Sequence, residues 1–503
     1  MSNSDKSTKP LSKWVPRNQK VFLASVSFLS MVHPTVMGYD SMMTGSILNL
    51  DSFVSYFHLN NATTGLNNAA TWAGELIACF TIVQYLNDKF GRRISVYCGI
   101  VVLVIAGILQ AAAKNTAMFV VGRFVLGFGA QITNISAIIL VAELCPIHLR
   151  GFMMGLAFSC FLVGALLSSG ITYGVRNAPG NWNWRIPCLV QMGPLIFAVI
   201  NLLLLPESPK FLFLNGYERE TFETLMITHN NDKAETQKVL DEYRLEVEKA
   251  KIQEPRPWRM FLKSRINLHK IVISFTQAIL TEMAGSSVGT YYLSILLTQA
   301  GISSSTERLQ VNIVSSAWQL VCACSGCLVF DRIGRKVQAL ISLTGMVISF
   351  FILGGLVKKY GDGDNRSGSF GAIAMMFIFS GFYSFTYTPL TTLYPSELYP
   401  YEMRSAGTTL FAIFNGSWGL IASFVLPFAM NGIGWKFYIV NAAYDAVFIP
   451  IVYYTWVETR GIDIERVDEI FWQHPINSRH SLKMDSEESD SVESVVVEII
   501  NKV

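Results

Sequence analysis

The sequence predicts an all-α membrane protein with twelve transmembrane helices in two six-helix halves. Three observations carry that expectation. The 503 residues are 51% hydrophobic and only 15% charged, against roughly 25% charged in an ordinary soluble domain. Mostly apolar runs of about 20 residues, the length that crosses a hydrocarbon core of about 30 Å, recur along the chain. Three short patterns each occur twice, and both copies fall at the same place relative to these runs.

Taken in order, the first six runs lie near 21–45, 67–87, 94–113, 117–141, 152–174 and 184–205. The second six lie near 270–298, 309–330, 337–357, 368–394, 405–430 and 434–456. Residues 1–20 are basic (Lys6, Lys9, Lys13, Arg17, Lys20) and lack a short apolar core with a cleavage site, so the first run is read as a span and not as a cleaved signal. The short loops at Lys89, Arg92, Arg93 and at Arg332, Arg335, Lys336 fall on the same side as the N-terminus. By the positive-inside tendency that side is the cytoplasm. Between the halves, 206–268 is charge-rich with apolar residues such as Phe222, Leu225 and Met226 at helical spacing. It reads as a cytoplasmic linker of one to three amphipathic helices ended by Pro255 and Pro257. The tail, 457–503, ends in an acidic serine-rich stretch too polar to fold alone. It is either a phosphorylation or turnover handle or inert solvated chain.

The eight cysteines lie in or at the edges of the apolar runs and read as small buried hydrophobes, not a disulfide framework. Cys322, Cys324 and Cys327 share one predicted helix with no partner pair at ligand spacing, a poor arrangement for zinc. No metal or cofactor is expected. A net charge of +3 without a basic, aromatic-interleaved patch argues against nucleic acid, and no catalytic constellation points to an enzyme. The expected partners are a small sugar, a proton and the lipid bilayer, with the chain a monomer.

The repeated patterns are NDKFGRR (87–93) with FDRIGRK (330–336), AELCPIHLRG (142–151) with SELYPYEMRSAG (396–407), and PESPKF (206–211) with VETRGI (457–462). Each pair is offset by roughly 250 residues, which indicates internal duplication. Two six-helix halves with a substrate site between them form the architecture of a major facilitator transporter. The acids and bases of these loops suggest ion-pair latches that form in one access state and break in the other. Asp88, Arg92 and Arg93 are placed to pair with Glu143 and Arg150, and Asp331, Arg332, Arg335 and Lys336 with Glu397 and Arg404. A plain basic anchor is the alternative, and it would need no acids.

With GYD (38–40), GRFVLGFG (122–129), AGSSVGTYY (284–292) and ETRG (458–461) added, these patterns resemble the sugar porter family of the major facilitator superfamily. TLYPSELYPYEMRSAG and YYLSILLTQAGI look most like its fungal lactose-permease-like branch, which includes hexose carriers. The resemblance implies that Asp40 is the proton acceptor and Arg123 its partner. Physical chemistry agrees on the pairing, since a carboxylate or a guanidinium left unpaired in low dielectric costs several kcal/mol.

The family's sugar-binding amides are largely replaced. Its paired glutamines of the seventh helix fall on Thr281 and Glu282, the asparagine that follows on Ser287, and the eighth-helix asparagine on Gln319. The eleventh-helix asparagine is kept as Asn415, the fifth-helix polar residue becomes Phe158, and the tenth-helix tryptophan becomes Thr392. Sugar recognition needs donors and acceptors matched to hydroxyls and aromatic faces against the ring. The candidate set is Gln277, Thr281, Glu282, Ser287, Tyr291, Tyr292, Gln319, Asn415 and Trp418, some of which alternatively only bond helix to helix. Glu282 either accepts two hydroxyls or titrates as a second proton site. Glu75 and Asp445 are accessory proton sites or face the headgroups, and His33 is placed to tune a pH response.

The sequons at Asn61 and Asn365 fall in loops expected outside, so a glycoprotein is expected. The leading reading is a plasma-membrane proton-coupled symporter for a hexose, an amino sugar such as N-acetylglucosamine, or a disaccharide. The alternatives are a facilitative uniporter and a non-transporting sugar sensor.

Overall fold

Each apolar run is long enough to close its own backbone hydrogen bonds, which inside a bilayer leaves helix as the only open choice for a single segment. A computed structural model describes residues 10–252, 264–290, 297, 304–360, 366–399, 401–461 and 467–473. The first half comprises α1 (Gln19–Ile47), α2 (Asp51–Phe57), α3 (Asn61–Thr81), α4 (Val83–Phe90), α5 (Arg92–Ala111), α6 (Thr116–Leu144), α7 (Ile147–Gly174), α8 (Trp182–Val190) and α9 (Gly193–Leu204). The linker forms α10 (Pro209–Leu214), α11 (Glu218–Thr228) and α12 (Lys233–Ile252). The second half comprises α13 (Arg265–Glu282), α14 (Ser286–Thr290), α15 (Ser305–Ile333), α16 (Arg335–Tyr360), α17 (Arg366–Leu398), α18 (Tyr401–Ile433) and α19 (Lys436–Thr455), followed by α20 (Val467–Gln473).

Among the described residues ten helices are long and apolar enough to cross a membrane. An eleventh span is α3 continued by α4 through a bend of 47°. Helix α7, whose described apolar part is Ser159–Gly174, completes the twelve expected from the sequence. Among its described residues the linker holds three helices, within the one to three its periodicity suggests. Leu225 is buried on α11 and Phe222 exposed, while Pro255 and Pro257 lie outside the described residues.

Within the first half α1 packs on α7, α5 on α6, and α3 on α6; within the second, α16 packs on α17 and α19, and α15 on α17. The halves meet along α3 with α18 and α7 with α15. Each half has its own apolar core, one around Val26, Leu103 and Leu140, the other around Met346, Phe379 and Tyr438. Glycine permits a close crossing. A side chain at Gly38 would strike the Phe161 backbone, and one at Gly164 the Thr35 backbone, so α1 and α7 approach as only small residues permit. This crossing fixes the height and rotation of α1 just where its aspartate lies.

Candidate functional site

Asp40 is buried on α1 and its Oδ1 accepts the Nη1 of Arg123 from α6, itself 1% exposed. The expected pair is therefore made. Tyr39 donates to the Pro187 carbonyl at 3.1 Å and Thr44 donates to the Asp40 carbonyl at 3.1 Å, which ties this stretch of α1 to α8 and to its own next turn. His33, two turns earlier, is also buried, and its Nε2 has no hydrogen-bond partner.

In the second half Glu282 ends α13, and its Oε1 accepts the amide of Asn415 from α18 at 3.0 Å. Gln277 is fully buried and donates to the Leu390 carbonyl at 2.8 Å. Thr281 donates to the Gln277 carbonyl at 2.9 Å, while its own carbonyl accepts the Tyr383 hydroxyl at 2.8 Å. Gln319 donates to Ser315 at 3.1 Å and accepts from Ser384 at 3.4 Å. Ser287 is buried. Trp418 meets the Phe275 ring edge-on, centroids 5.7 Å apart. The Thr392 hydroxyl is buried without a partner. Tyr291 and Tyr292, and the side chain of Phe158, lie outside the described residues. Thus Gln277 spends its amide on the neighbouring α17, the Thr281 hydroxyl and Gln319 amide bond within their own helices while Tyr383 and Ser384 of α17 donate to the Thr281 carbonyl and Gln319, and Glu282 and Asn415 are brought together.

The three duplicated loop patterns converge at the end of the bundle where α1 begins, here the near end. In the first half Arg92 pairs with Glu143 at 3.4 Å, and Glu143 accepts the Ser208 hydroxyl. Glu207 accepts the backbone N–H groups of Arg92 at 2.9 Å and Arg93 at 3.1 Å, capping α5. In the second half Arg335 grips Glu397 with two contacts, 2.8 and 3.1 Å, and Thr459 donates to Glu397 at 2.5 Å. Glu458 accepts the N–H groups of Arg335 at 2.8 Å and Lys336 at 3.0 Å. Both turns need φ near +95°, supplied by Gly91 at 92° and Gly334 at 98°, a conformation that glycine adopts without strain. Burial pushes the Glu207 carboxyl above its ordinary range, against the N–H groups of Ser208, Arg93 and Arg92, which pull it down.

Not every residue expected in the latches takes part. Asp88 is exposed with no ion-pair partner among the described residues, because α4 turns it away from the Arg92 cluster. Arg93 serves through its backbone N–H and lays its guanidinium over Tyr97. Arg332 contributes its carbonyl, which accepts from Arg460 at 2.5 Å. The side chains of Arg150, Asp331 and Arg404 lie outside the described residues.

At the opposite, far end, polar contacts cross between the halves. Asn312 donates to Ser46 at 2.9 Å, Ser305 donates to the Asn49 carbonyl, Arg308 pairs with Asp51 at 3.7 Å, and Gln310 donates to Tyr173 at 3.2 Å. Asn61 is exposed here at the start of α3, where its Oδ1 accepts from Asn431 at 2.8 Å. Asn365 lies outside the described residues.

The family model of sugar (and other) transporters matches residues 26–471. The chain belongs to that family, the sugar porters of the major facilitator superfamily, and with its apolar helices it is a multi-pass membrane protein. It is 26% identical over 482 residues to the sugar transport protein MST8 of Oryza sativa subsp. japonica, covering 91% of this chain and 93% of that one. To a high-affinity glucose transporter of Kluyveromyces lactis it is 24% identical, covering 89% and 84%. Among solved structures, the proton:xylose symporter XylE of E. coli bound to 6-bromo-6-deoxy-D-glucose superposes with a TM-score of 0.74 at 19% identity, covering 90% of this chain and 100% of that one. That likeness establishes the twelve-helix fold.

The repeated patterns pointed to the Arg92–Glu143 and Arg335–Glu397 pairs, but not to Ser208 or Thr459 nor to the capping role of Glu207 and Glu458. The signal was present: in each half a glutamate directly follows the sixth span, 116 residues after the Gly-Arg-basic turn at Gly91 in one half and 124 after that at Gly334 in the other. The Ser46–Asn312 bridge left no such signal, because neither residue belongs to a repeated pattern.

Proposed function

We propose that the chain is a proton-coupled sugar symporter of the plasma membrane, with both termini cytoplasmic, working by alternating access. The observation that carries this reading is the buried Asp40–Arg123 pair. Removing one charge from such a pair releases the other, which in low dielectric is worth several kcal/mol. Protonation of Asp40 therefore frees Arg123 and changes the balance between access states, as a proton-driven switch requires. The halves, each with its own core, are read as rigid bodies spanning 21–205 and 269–456, joined by the 206–268 linker. Far-end bridges such as Ser46–Asn312 open when the outward path opens. The near-end clusters serve as latches, formed within a half and strained as the halves tilt. Coupling supplies about 2.3 kcal/mol per 100 mV and about 1.4 kcal/mol per pH unit.

The test follows the pH of a weakly buffered suspension of transporter-null cells expressing the chain, as glucose, galactose, lactose and N-acetylglucosamine are added in turn. Alkalinisation with one sugar that disappears in Asp40→Asn is the expected result. Labelled sugar that equilibrates with no pH change overturns the symport and leaves a facilitator.

A further inference from the structure

The middle of the bundle carries more acid than the coupling pair accounts for. Glu282 is about nine-tenths buried, and its recorded partner is a neutral amide, that of Asn415. Across the interface α3 lies on α18 through small residues: a side chain at Gly416 would meet Leu76, and one at Gly419 would meet Trp72. This packing brings Glu75, the neighbour of Leu76, to the part of the interface where Asn415 precedes Gly416. Glu75 accordingly lies within electrostatic reach of Glu282, Asp40 and Arg123. The one cation of that set, Arg123, is committed to Asp40.

The hydrogen-bonding inventory leans the same way. Asn415 spends its Nδ2 on Glu282 and leaves its Oδ1 buried with no donor. Gln277, fully buried on the same helix as Glu282, likewise leaves its Oε1 without a donor. Among the described residues the Glu282–Asn415 neighbourhood thus shows buried acceptors and carboxylates in surplus over free positive charge. A neutral sugar hydroxyl supplies a donor but also brings an acceptor and no charge. An ammonium group supplies three donors, one positive charge and no acceptor.

We propose that Glu282, positioned by Asn415 and opposed by Glu75 across the two halves, is the specificity-determining residue for a protonated amine, so that the solute carried is an amino sugar with a free ammonium group. This rests on the sugar-transport reading above and narrows its substrate class. A neutral hexose or an N-acetylated sugar supplies no countercharge to either glutamate, which must then take up a proton or carry the cost of a buried unpaired charge.

The experiment measures uptake of labelled glucosamine, glucose and N-acetylglucosamine in transporter-null cells, at a pH where glucosamine is protonated, for wild type, Glu282→Gln and Glu282→Asp. Wild type should half-saturate with glucosamine at a concentration at least about tenfold below either neutral sugar, a preference lost in Glu282→Gln and partly kept in Glu282→Asp. A thermal shift of the purified full-length chain with glucosamine checks binding where flux is low and shows that each variant is folded. Glucosamine that neither enters, competes nor shifts the melting temperature overturns the proposal. So does Glu282→Gln lowering uptake of all three sugars by one factor, or changing the protons moved per neutral sugar while the preference stays. The Asp40→Asn measurement separates the two readings. A Glu282-dependent preference with Asp40→Asn silent defeats the proton coupling alone, whereas a neutral-sugar preference with coupling intact defeats only the amine recognition.

Discussion

In the first half the buried carboxylate of Asp40 faces a guanidinium. In the second half Asp445, on α19, is fully buried in the core near Tyr387 and Tyr444, and neither of its oxygens has a hydrogen-bond partner among the described residues. At the near end, by contrast, the halves agree almost atom for atom: a glycine with positive φ, a capping glutamate and an Arg–Glu pair in each. Duplication has preserved the parts that shape helix ends and let the membrane interior diverge. Charge in the interior therefore serves a task of one half and not of the shared scaffold.

The most severe way to break this contrast is Arg123→Ala, which leaves Asp40 buried and unpaired. A loss of about 3–5 kcal/mol is expected, read as a large drop in melting temperature of the purified protein. Combining it with Asp40→Asn should restore most of the stability while leaving uptake uncoupled. If the double variant is no more stable than Arg123→Ala alone, the pair is not the source of the loss.

Next come the two near-end clusters, which differ in grip. Arg335→Ala removes two short contacts to Glu397 and should cost about 2 kcal/mol, whereas Arg92→Ala, with one contact at 3.4 Å, should cost about 1 kcal/mol or less. Thermal scans of both variants side by side decide this, and equal losses would mean that the second contact adds nothing. Asp445→Asn should change stability by less than about 1 kcal/mol, because no hydrogen bond is lost. A loss as large as that of Arg123→Ala would reveal a partner for Asp445 and erase the distinction between the halves.

The smallest effect is one of pH. Glu223 on α11 accepts from Arg17, Arg219 and the Leu11 N–H. Burial works against its ionised form, but these donors outweigh burial and hold the carboxyl below its ordinary range. A depressed carboxylate contributes stability above its unfolded value and loses it as pH falls through the folded one. Release of residues 10–18 from α11, followed by limited proteolysis, should thus begin only below the usual carboxylate range. Glu207 has the opposite sign, since burial raises its carboxyl. It disfavours the folded state as pH climbs through that raised value. Glu207→Gln should consequently lessen the loss of stability as pH rises above the ordinary carboxylate range, measured by thermal scans at successive pH values.

Much of this architecture could be read from the chain. The apolar runs located the spans, and 94–113 and 434–456 became Arg92–Ala111 and Lys436–Thr455, because a span's ends follow hydropathy. Asp40 and Arg123 were legible as a pair because two unpaired charges in hydrocarbon have few alternatives. The hydrogen bond that Gln277 makes to Leu390 on another helix was not legible, since the direction of a side chain around a helix that is apolar on several faces is set by its neighbours. The approach of Glu75 to Glu282 was equally hidden. It depends on how Gly416 and Gly419 admit Leu76 and Trp72, a matter of packing between helices more than three hundred residues apart in sequence. Asp88 misled for a related reason: its motif suggests a partner, but the helix that carries it turns it toward solvent.

Helices α11 and α20 are each fastened to one half. Gln19 donates to the Thr228 carbonyl at 2.8 Å and Arg17 holds Glu223 at 3.0 Å, fastening α11 beneath α1. Lys270, fully buried, holds Asp468 and stands over the Phe471 ring, fastening α20 beneath α13. The molecule thereby carries two built-in pointers outside the bilayer. A fluorophore on each, for example at the exposed positions Arg219 and Trp472, would turn the tilt of the halves that the proposed alternating access requires into a distance that a single-molecule experiment can follow, without a probe touching the transport path.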